Sequence, residues 1–253
     1  SSRQYHRYLK GESEIAFNMV EKFAERLGIT TRKFIAQIEE EKTEQNKVIN
    51  LFYNAVVNQD TEKQKTISKH LEKKNILDYD SRLFYEFTCH IRDHQSGELS
   101  TLKLVDRIKT MINYPDILKK DYLTDIEMLI MSTLIDFIPK DEHTPIIIRL
   151  TVYYENRGLI MSGGNDMIHP IILMRLAKAH GLKNDMDKVL ELSNIALKRG
   201  NYYKQYYLFY MFYYFKSLAY FKKDQKAAFE ENLYRCYCAL EKVDNAARFK
   251  KYK

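Results

Sequence analysis

Leu176-Ala177-Lys178-Ala179-His180-Gly181, followed by Ile195-Ala196-Leu197, is the pattern on which the reading of this chain turns. It returns as Leu218-Ala219-Tyr220-Phe221 followed by Cys238-Ala239-Leu240. Ala177 and Ala219 lie 42 residues apart, and Ala196 and Ala239 lie 43 apart. A step of 43 back from Ala177 reaches Leu134, and a second reaches Ile91. Small residues recurring in pairs of helical segments mark places where helices cross closely, and a fixed period marks a stacked array. The composition agrees. The 253 residues include only 8 Gly and 4 Pro, too few for the tight turns of a sheet protein, while 45% apolar residues suffice for a core.

Working outward, the spacing predicts helices at roughly 79–94, 99–113, 116–138, 143–161, 166–181, 184–199, 202–222 and 224–241. The breaks fall on Ser96-Gly97, Tyr114-Pro115, Pro139-Lys140, Ser162-Gly163-Gly164, Gly181, Gly200 and Lys223-Asp224. Two helices per repeat is the pattern of tetratricopeptide-type arrays, with a period longer than their usual ~34 residues. Toward the N-terminus, Ser13 is placed to cap a helix carrying Phe17, Val20, Phe23, Ala24 and Leu27 on one face and ending at Gly28. Thr30 or Thr31 caps the next helix, with Phe34, Ile35 and Ile38 on its expected buried face. Residues 39–75 are polar, yet Val48, Ile49, Phe52, Val56 and Val57 persist. They predict a linker helix running into a first hairpin, broken near Asn58-Gln59-Asp60.

Charge is uneven. The chain carries +7 overall, and residues 198–253 hold 13 Lys/Arg against 5 Asp/Glu. Such a balance suits nucleic acid or a solvated basic face. Cys89, Cys236 and Cys238 form neither a disulfide framework nor a zinc-ligand spacing, and they fit reduced thiols in a cytoplasmic protein. Neither a membrane span nor a signal peptide is visible. No glycine-rich phosphate loop, H-E-x-x-H or G-x-S-x-G is present, so no enzyme, cofactor or metal site is expected. His90 and His94 share a helix face at i, i+4, which also suits one half-buried histidine beside a solvated one.

Three groups of residues are candidates for binding. In Ser2-Arg3-Gln4-Tyr5-His6-Arg7-Tyr8-Leu9, the residues Ser2, Arg3, Gln4, His6 and Arg7 can face outward while Tyr5, Tyr8 and Leu9 face in. That is what a helix reading base edges in a major groove requires. In the aromatic stretch 202–221, Tyr206, Tyr210, Tyr213, Ser217 and Tyr220 follow one helical stripe. It offers flat apolar area with hydroxyls for a peptide, or packing for neighbouring helices. Arg149 and Arg175 stand among aliphatic residues and need either an internal acid or a ligand carboxylate. Glu127 and Asn156 are further polar candidates on apolar helices, and Met161, Met167 and Met174 could line an adaptable pocket or the core.

The run Ser1 to Ile29 resembles the second half of a Xre/Cro-type helix-turn-helix: recognition helix, Gly turn, and a helix ending in Leu27-Gly28-Ile29. With the polar linker and tyrosine-rich repeats behind it, the chain resembles the Rgg/GadR/MutR regulators of the RRNPP peptide-sensing group. The resemblance places the start of the chain inside the recognition helix, with two helices of the domain expected ahead of it. Family members often carry Trp in the middle repeats, whereas this chain has none and reads Leu123-Thr124-Asp125-Ile126-Glu127 there.

The expected fold is therefore all-α, a partial helix-turn-helix followed by a right-handed tetratricopeptide-like array. Its parts are a DNA-binding remnant at 1–38, a linker helix and first hairpin at 39–75, and repeats for peptide binding and dimerisation at 76–253. The resemblance implies a cytoplasmic homodimer that binds promoter DNA and a short, mostly apolar quorum-sensing peptide. The peptide would sit on the concave face of the repeats, near Glu127, Arg149, Asn156, Arg175, Tyr206, Tyr210 and Tyr213. The alternative is a helical-repeat interaction scaffold that does not touch DNA.

Overall fold

The structure is a computed structural model that describes residues 15–72, 76, 78–157 and 167–241. Among the described residues there are eleven α-helices and no strand. They are α1 (Phe17–Arg26), α2 (Thr31–Val57), α3 (Thr61–Leu71), α4 (Tyr79–Gln95), α5 (Thr101–Met111), α6 (Asp125–Leu134), α7 (His143–Arg157), α8 (Ile168–Leu182), α9 (Met186–Tyr203), α10 (Phe209–Lys222) and α11 (Lys226–Glu241). Two 3₁₀ turns, Asp116–Lys119 and Lys140–Glu142, lie between them.

Local chemistry sets most of these boundaries. Thr30, Asp60, Asp78, Ser100, Thr124 and Asp185 each accept a hydrogen bond from a backbone N–H in the first turn of the helix that follows. At the other ends, Gly28 and Gly97 take positive φ, as do Gln59, Asn113, Asn184 and Asp224. These are left-handed helix exits, which Gly and Asn enter at least cost.

Helices pack with the next in sequence and also with the next but one. α2 touches α4, α4 touches α6, α6 touches α8, and α8 touches α10. Alternate helices thus form a row, and α3, α5, α7, α9 and α11 are the second members of five pairs. The repeat positions Ile91, Leu134, Ala177 and Ala219 fall on α4, α6, α8 and α10, which are members of that row. Ala177 and Ala219 are fully buried there. The core runs continuously from Ile49 in α2 to Leu240 in α11. Its centre is α6, where every residue from Met128 to Leu134 is buried. A helix that is apolar all round needs neighbours on all sides, and the row supplies them.

Four expectations are corrected. The segment 116–138 is not one helix: it divides into a 3₁₀ turn, an extended stretch and α6. The cause is a capping box at Thr124 and Glu127, which starts a new helix. The segment 202–222 is likewise divided, since α9 continues to Tyr203 and α10 begins only at Phe209. Finally, the face of Phe34, Ile35 and Ile38 is not buried. Phe34 and Ile38 are half-covered and Ile35 is exposed, and the buried face of α2 starts only at Gln45 and Ile49. α2 is also continuous from Thr31 to Val57, so the expected boundary between 38 and 39 falls inside a helix.

Candidate functional site: a tyrosine-lined cavity

Residues 204–208 link α9 to α10 and carry the geometry of the site. Both Lys204 and Leu208 have left-handed backbone (φ 59° and 64°), an uncommon state for residues with a Cβ. The link is held from beneath. Gln205 N–H donates to the Gly200 carbonyl at 2.8 Å, and the Phe209 ring lies directly over Gly200. Leu208 and Phe209 point into the core, which turns Tyr206 outward at 57% exposure.

Beside this link lies a cavity of about 790 Å³ bounded by Tyr206 to Tyr210 and Tyr213 on one side and by Tyr234, Arg235, Cys238 and Ala239 of α11 on the other. Its aromatic wall is interlocked edge-to-face. Tyr206 meets Phe209 at 5.2 Å between centroids, and Phe209 meets Tyr213 at 6.2 Å. The Arg235 guanidinium lies 5.9 Å from the centre of the Tyr213 ring, and its Nη2 donates to Glu231 at 2.6 Å. Nearby, burial and the charge of Arg235 push the Lys216 ammonium below the usual lysine range. The cavity is thus apolar and aromatic, with the Arg235 guanidinium on its α11 side.

The expected tyrosine stripe is therefore only partly a stripe. Tyr206, Tyr210 and Tyr213 do line one cavity, but Tyr206 stands on the link rather than on the helix. Tyr210 belongs to the core at 5% exposure. Sequence spacing missed Tyr207 and the whole contribution of α11. Tyr234 and Cys238 are i, i+4 on that helix with Arg235 beside them, and this was the available signal.

The other candidates have internal partners. Glu127 is the third helical residue of α6. Its Oε2 accepts from the Thr124 N–H at 3.0 Å and its Oε1 from Lys120 Nζ at 2.7 Å. Arg149 Nη2 donates to the backbone carbonyl of Lys120 and reaches that of Asp121 at 3.5 Å, while its Nε is buried without a hydrogen bond. Arg149 thus fastens the extended stretch before α6. Arg175 is ion-paired with Asp136 at 2.7 Å and also donates to Ser132 and Thr133 Oγ atoms at 3.1 and 2.9 Å. None of these three lines the tyrosine cavity. Ser2, Arg3, Gln4, His6 and Arg7 lie outside the described residues, as do Met161 and the side chain of Asn156. Met167 and Met174 pack in or against the core.

Histidines are used structurally. His90 pairs with Arg107 at 3.2 Å, and His94 Nδ1 meets the Leu99 carbonyl at 3.0 Å, so the two do not share a ligand geometry. Buried His169 shares a 2.7 Å hydrogen bond with Tyr154, and its Nε2 lies 3.3 Å from Asp125, close enough for an ion pair but without a hydrogen bond. Burial drives the Tyr154 hydroxyl far above its ordinary value, so it stays a phenol. This set ties α6, α7 and α8 together. Among the described residues no cluster of His, Cys, Asp and Glu has the geometry to hold a metal ion, and no helix is long and apolar enough to cross a membrane.

Comparison of the chain with family models, with curated proteins and with solved structures finds no match.

Proposed function

We propose that this chain is a DNA-binding transcriptional regulator controlled by a short, mostly apolar peptide, working as a homodimer in the cytoplasm. The observation that carries the peptide half of this reading is the tyrosine-lined cavity of about 790 Å³ between the 204–213 segment and α11. It falls within the usual range for ligand sites, which is roughly 300–1,000 Å³. Its aromatic wall supplies rigid apolar area at low entropic cost, and Arg235 on its α11 side favours a carboxylate there. The DNA half rests on the resemblance of Ser1–Ile29 to the second half of a helix-turn-helix. Control is linkage: a peptide that favours one arrangement of the helix row changes how the N-terminal segments of the dimer meet their half-sites.

Calorimetric titration with a library of short apolar peptides tests the first half. Saturable binding with a negative heat-capacity change is expected. Tyr206→Ala and Tyr234→Ala change exposed side chains (57% and 69%), so folding should survive while affinity falls about tenfold, near 1.4 kcal/mol, in each. Full affinity in both variants would remove the peptide from this cavity. Selection from random duplex DNA, with and without the binding peptide, tests the second half, and no enriched sequence under either condition would end the regulator reading.

One observation favours the scaffold alternative. The last described helix pair leaves Leu218, Phe221, Leu233 and Tyr237 exposed, a set of large apolar side chains that suits an interaction face. A protein partner would cover such a face, and so would a second copy of the chain. A molar mass that stays monomeric at all concentrations, together with no selected DNA, would favour the scaffold.

A further inference from the structure

A second cavity, which shares no lining residue with the tyrosine cavity, lies where the turn after α6, the start of α7 and the C-terminal half of α8 converge. Its volume is about 320 Å³. Ile138, Ile147 and Leu182 give it aliphatic walls, and four cationic side chains border it: Lys140, Arg175, Lys178 and Lys183. The only carboxylate among its lining residues is Asp136, and that is already committed to Arg175 Nε at 2.7 Å.

The state of the four cations decides what this cavity can take. Arg175 spends Nε on Asp136 and Nη1 on Ser132 and Thr133, leaving both N–H groups of Nη2 without a partner among the described residues. A guanidinium has five N–H donors, so part of the fork remains available. Lys183 Nζ donates to the Thr144 hydroxyl at 3.2 Å. Among the described residues, no carboxylate pairs with Lys140, Lys178 or Lys183. Three ammonium groups without counter-charge thus border a pocket whose walls are aliphatic.

Magnitudes then select the ligand class. A single exposed lysine–anion contact is worth about 0–1 kcal/mol, so a bare inorganic anion gains little from solvated ammoniums. Apolar area removed from water returns about 25 cal/mol per Å², so a short acyl or aryl group gains more from the isoleucine and leucine walls. Neutral apolar molecules gain that area yet leave the cations unanswered. We infer that the cavity between α6, α7 and α8 binds a small amphipathic organic carboxylate, its acid group on Lys178, Lys183 and the open side of Arg175, and its apolar part against Ile138, Ile147 and Leu182. The site shares no lining residue with the tyrosine cavity, and the inference does not depend on a peptide binding there.

The test uses the full chain with octanoate and 4-phenylbutyrate as probes, followed by calorimetry and thermal unfolding. Inorganic phosphate supplies charge without an apolar part, and 1-octanol the reverse. Expected are saturable binding of at least one acid, a raised unfolding temperature, and markedly weaker effects of both controls. A Lys178→Glu/Lys183→Glu double variant should weaken the acid by more than about tenfold while unfolding near the parent temperature, because both side chains are exposed. Tyr206→Ala/Tyr234→Ala should leave acid binding unchanged. The assignment is overturned if neither acid binds, if phosphate or octanol binds as tightly, or if the lysine variant binds as well as the parent. Loss of binding in the tyrosine variant alone would place the acid in the other cavity.

Discussion

Gly200 has no room for a methyl group. A Cβ there would run into the Phe209 ring and come within 2.5 Å of the Gln205 carbonyl oxygen, and a backbone atom cannot swing aside. Gly200→Ala should therefore cost about 1–3 kcal/mol, read as a lower denaturant midpoint, and should loosen the link that presents Tyr206. An unchanged midpoint would mean that the link is not pinned by Phe209. Lys216 makes an opposite case. Its ammonium is half-buried and near Arg235, and both circumstances hold its folded value below the ordinary lysine value. The unfolded chain then binds more protons between the two values, so this group's contribution to stability rises as pH climbs through that alkaline window. Lys216→Met should be more stable than the parent at neutral pH, and its advantage should shrink as pH approaches the ordinary lysine value. Paired urea titrations at neutral and alkaline pH measure that difference, and an advantage that does not change with pH would assign it to packing alone.

At the scale of the element, α6 shows how a few residues replace one expected helix with two shorter pieces. Thr124 Oγ1 accepts from the Glu127 N–H at 3.2 Å and Glu127 answers to the Thr124 N–H at 3.0 Å, which satisfies two donors that a helix start otherwise leaves open. Thr124→Ala should destabilise the chain by about 1 kcal/mol in chemical denaturation, and Thr124→Ser should restore most of it. Equal stability of all three would show that packing alone sets the start of α6. The capping box was present in the letters Thr124-Asp125-Ile126-Glu127, but the apolar run behind it reads as the middle of a longer helix. Periodicity reports which face is apolar, not where the chain stops pairing with itself. Helix existence was legible for the same reason that boundaries were not. The Ala177 and Ala219 positions were legible as buried helix positions, because small residues spaced among apolar ones suit a close helix contact. The partners of Arg149, Arg175 and Glu127 were not, since each bond depends on where a second helix or loop lies. The α11 side of the tyrosine cavity was hidden likewise: Tyr234 and Cys238 acquire meaning only once α10 and α11 are side by side.

For the whole molecule, the row of helices implies a gradient of stability. α6 touches α4, α5, α7 and α8, and from Met128 to Leu134 it is buried throughout. α1 and the first half of α2 cover mainly each other, leaving Phe17, Leu27 and Ile35 in solvent. Local opening free energies track buried apolar contact, so the two ends of this range should differ by most of the global stability. Native-state hydrogen exchange should show the amides of 128–134 opening only with global unfolding, and those of 19–44 exchanging through low-energy local openings. The exposed face of α1 and α2 adds a concentration dependence to that measurement. In the homodimer proposed here, a second copy that covers Phe17, Leu27 and Ile35 would raise the protection of 19–44 with protein concentration while leaving 128–134 unchanged. Protection of 19–44 equal to that of α6 at high dilution would contradict the gradient, because the burial among the described residues gives those amides no means to achieve it.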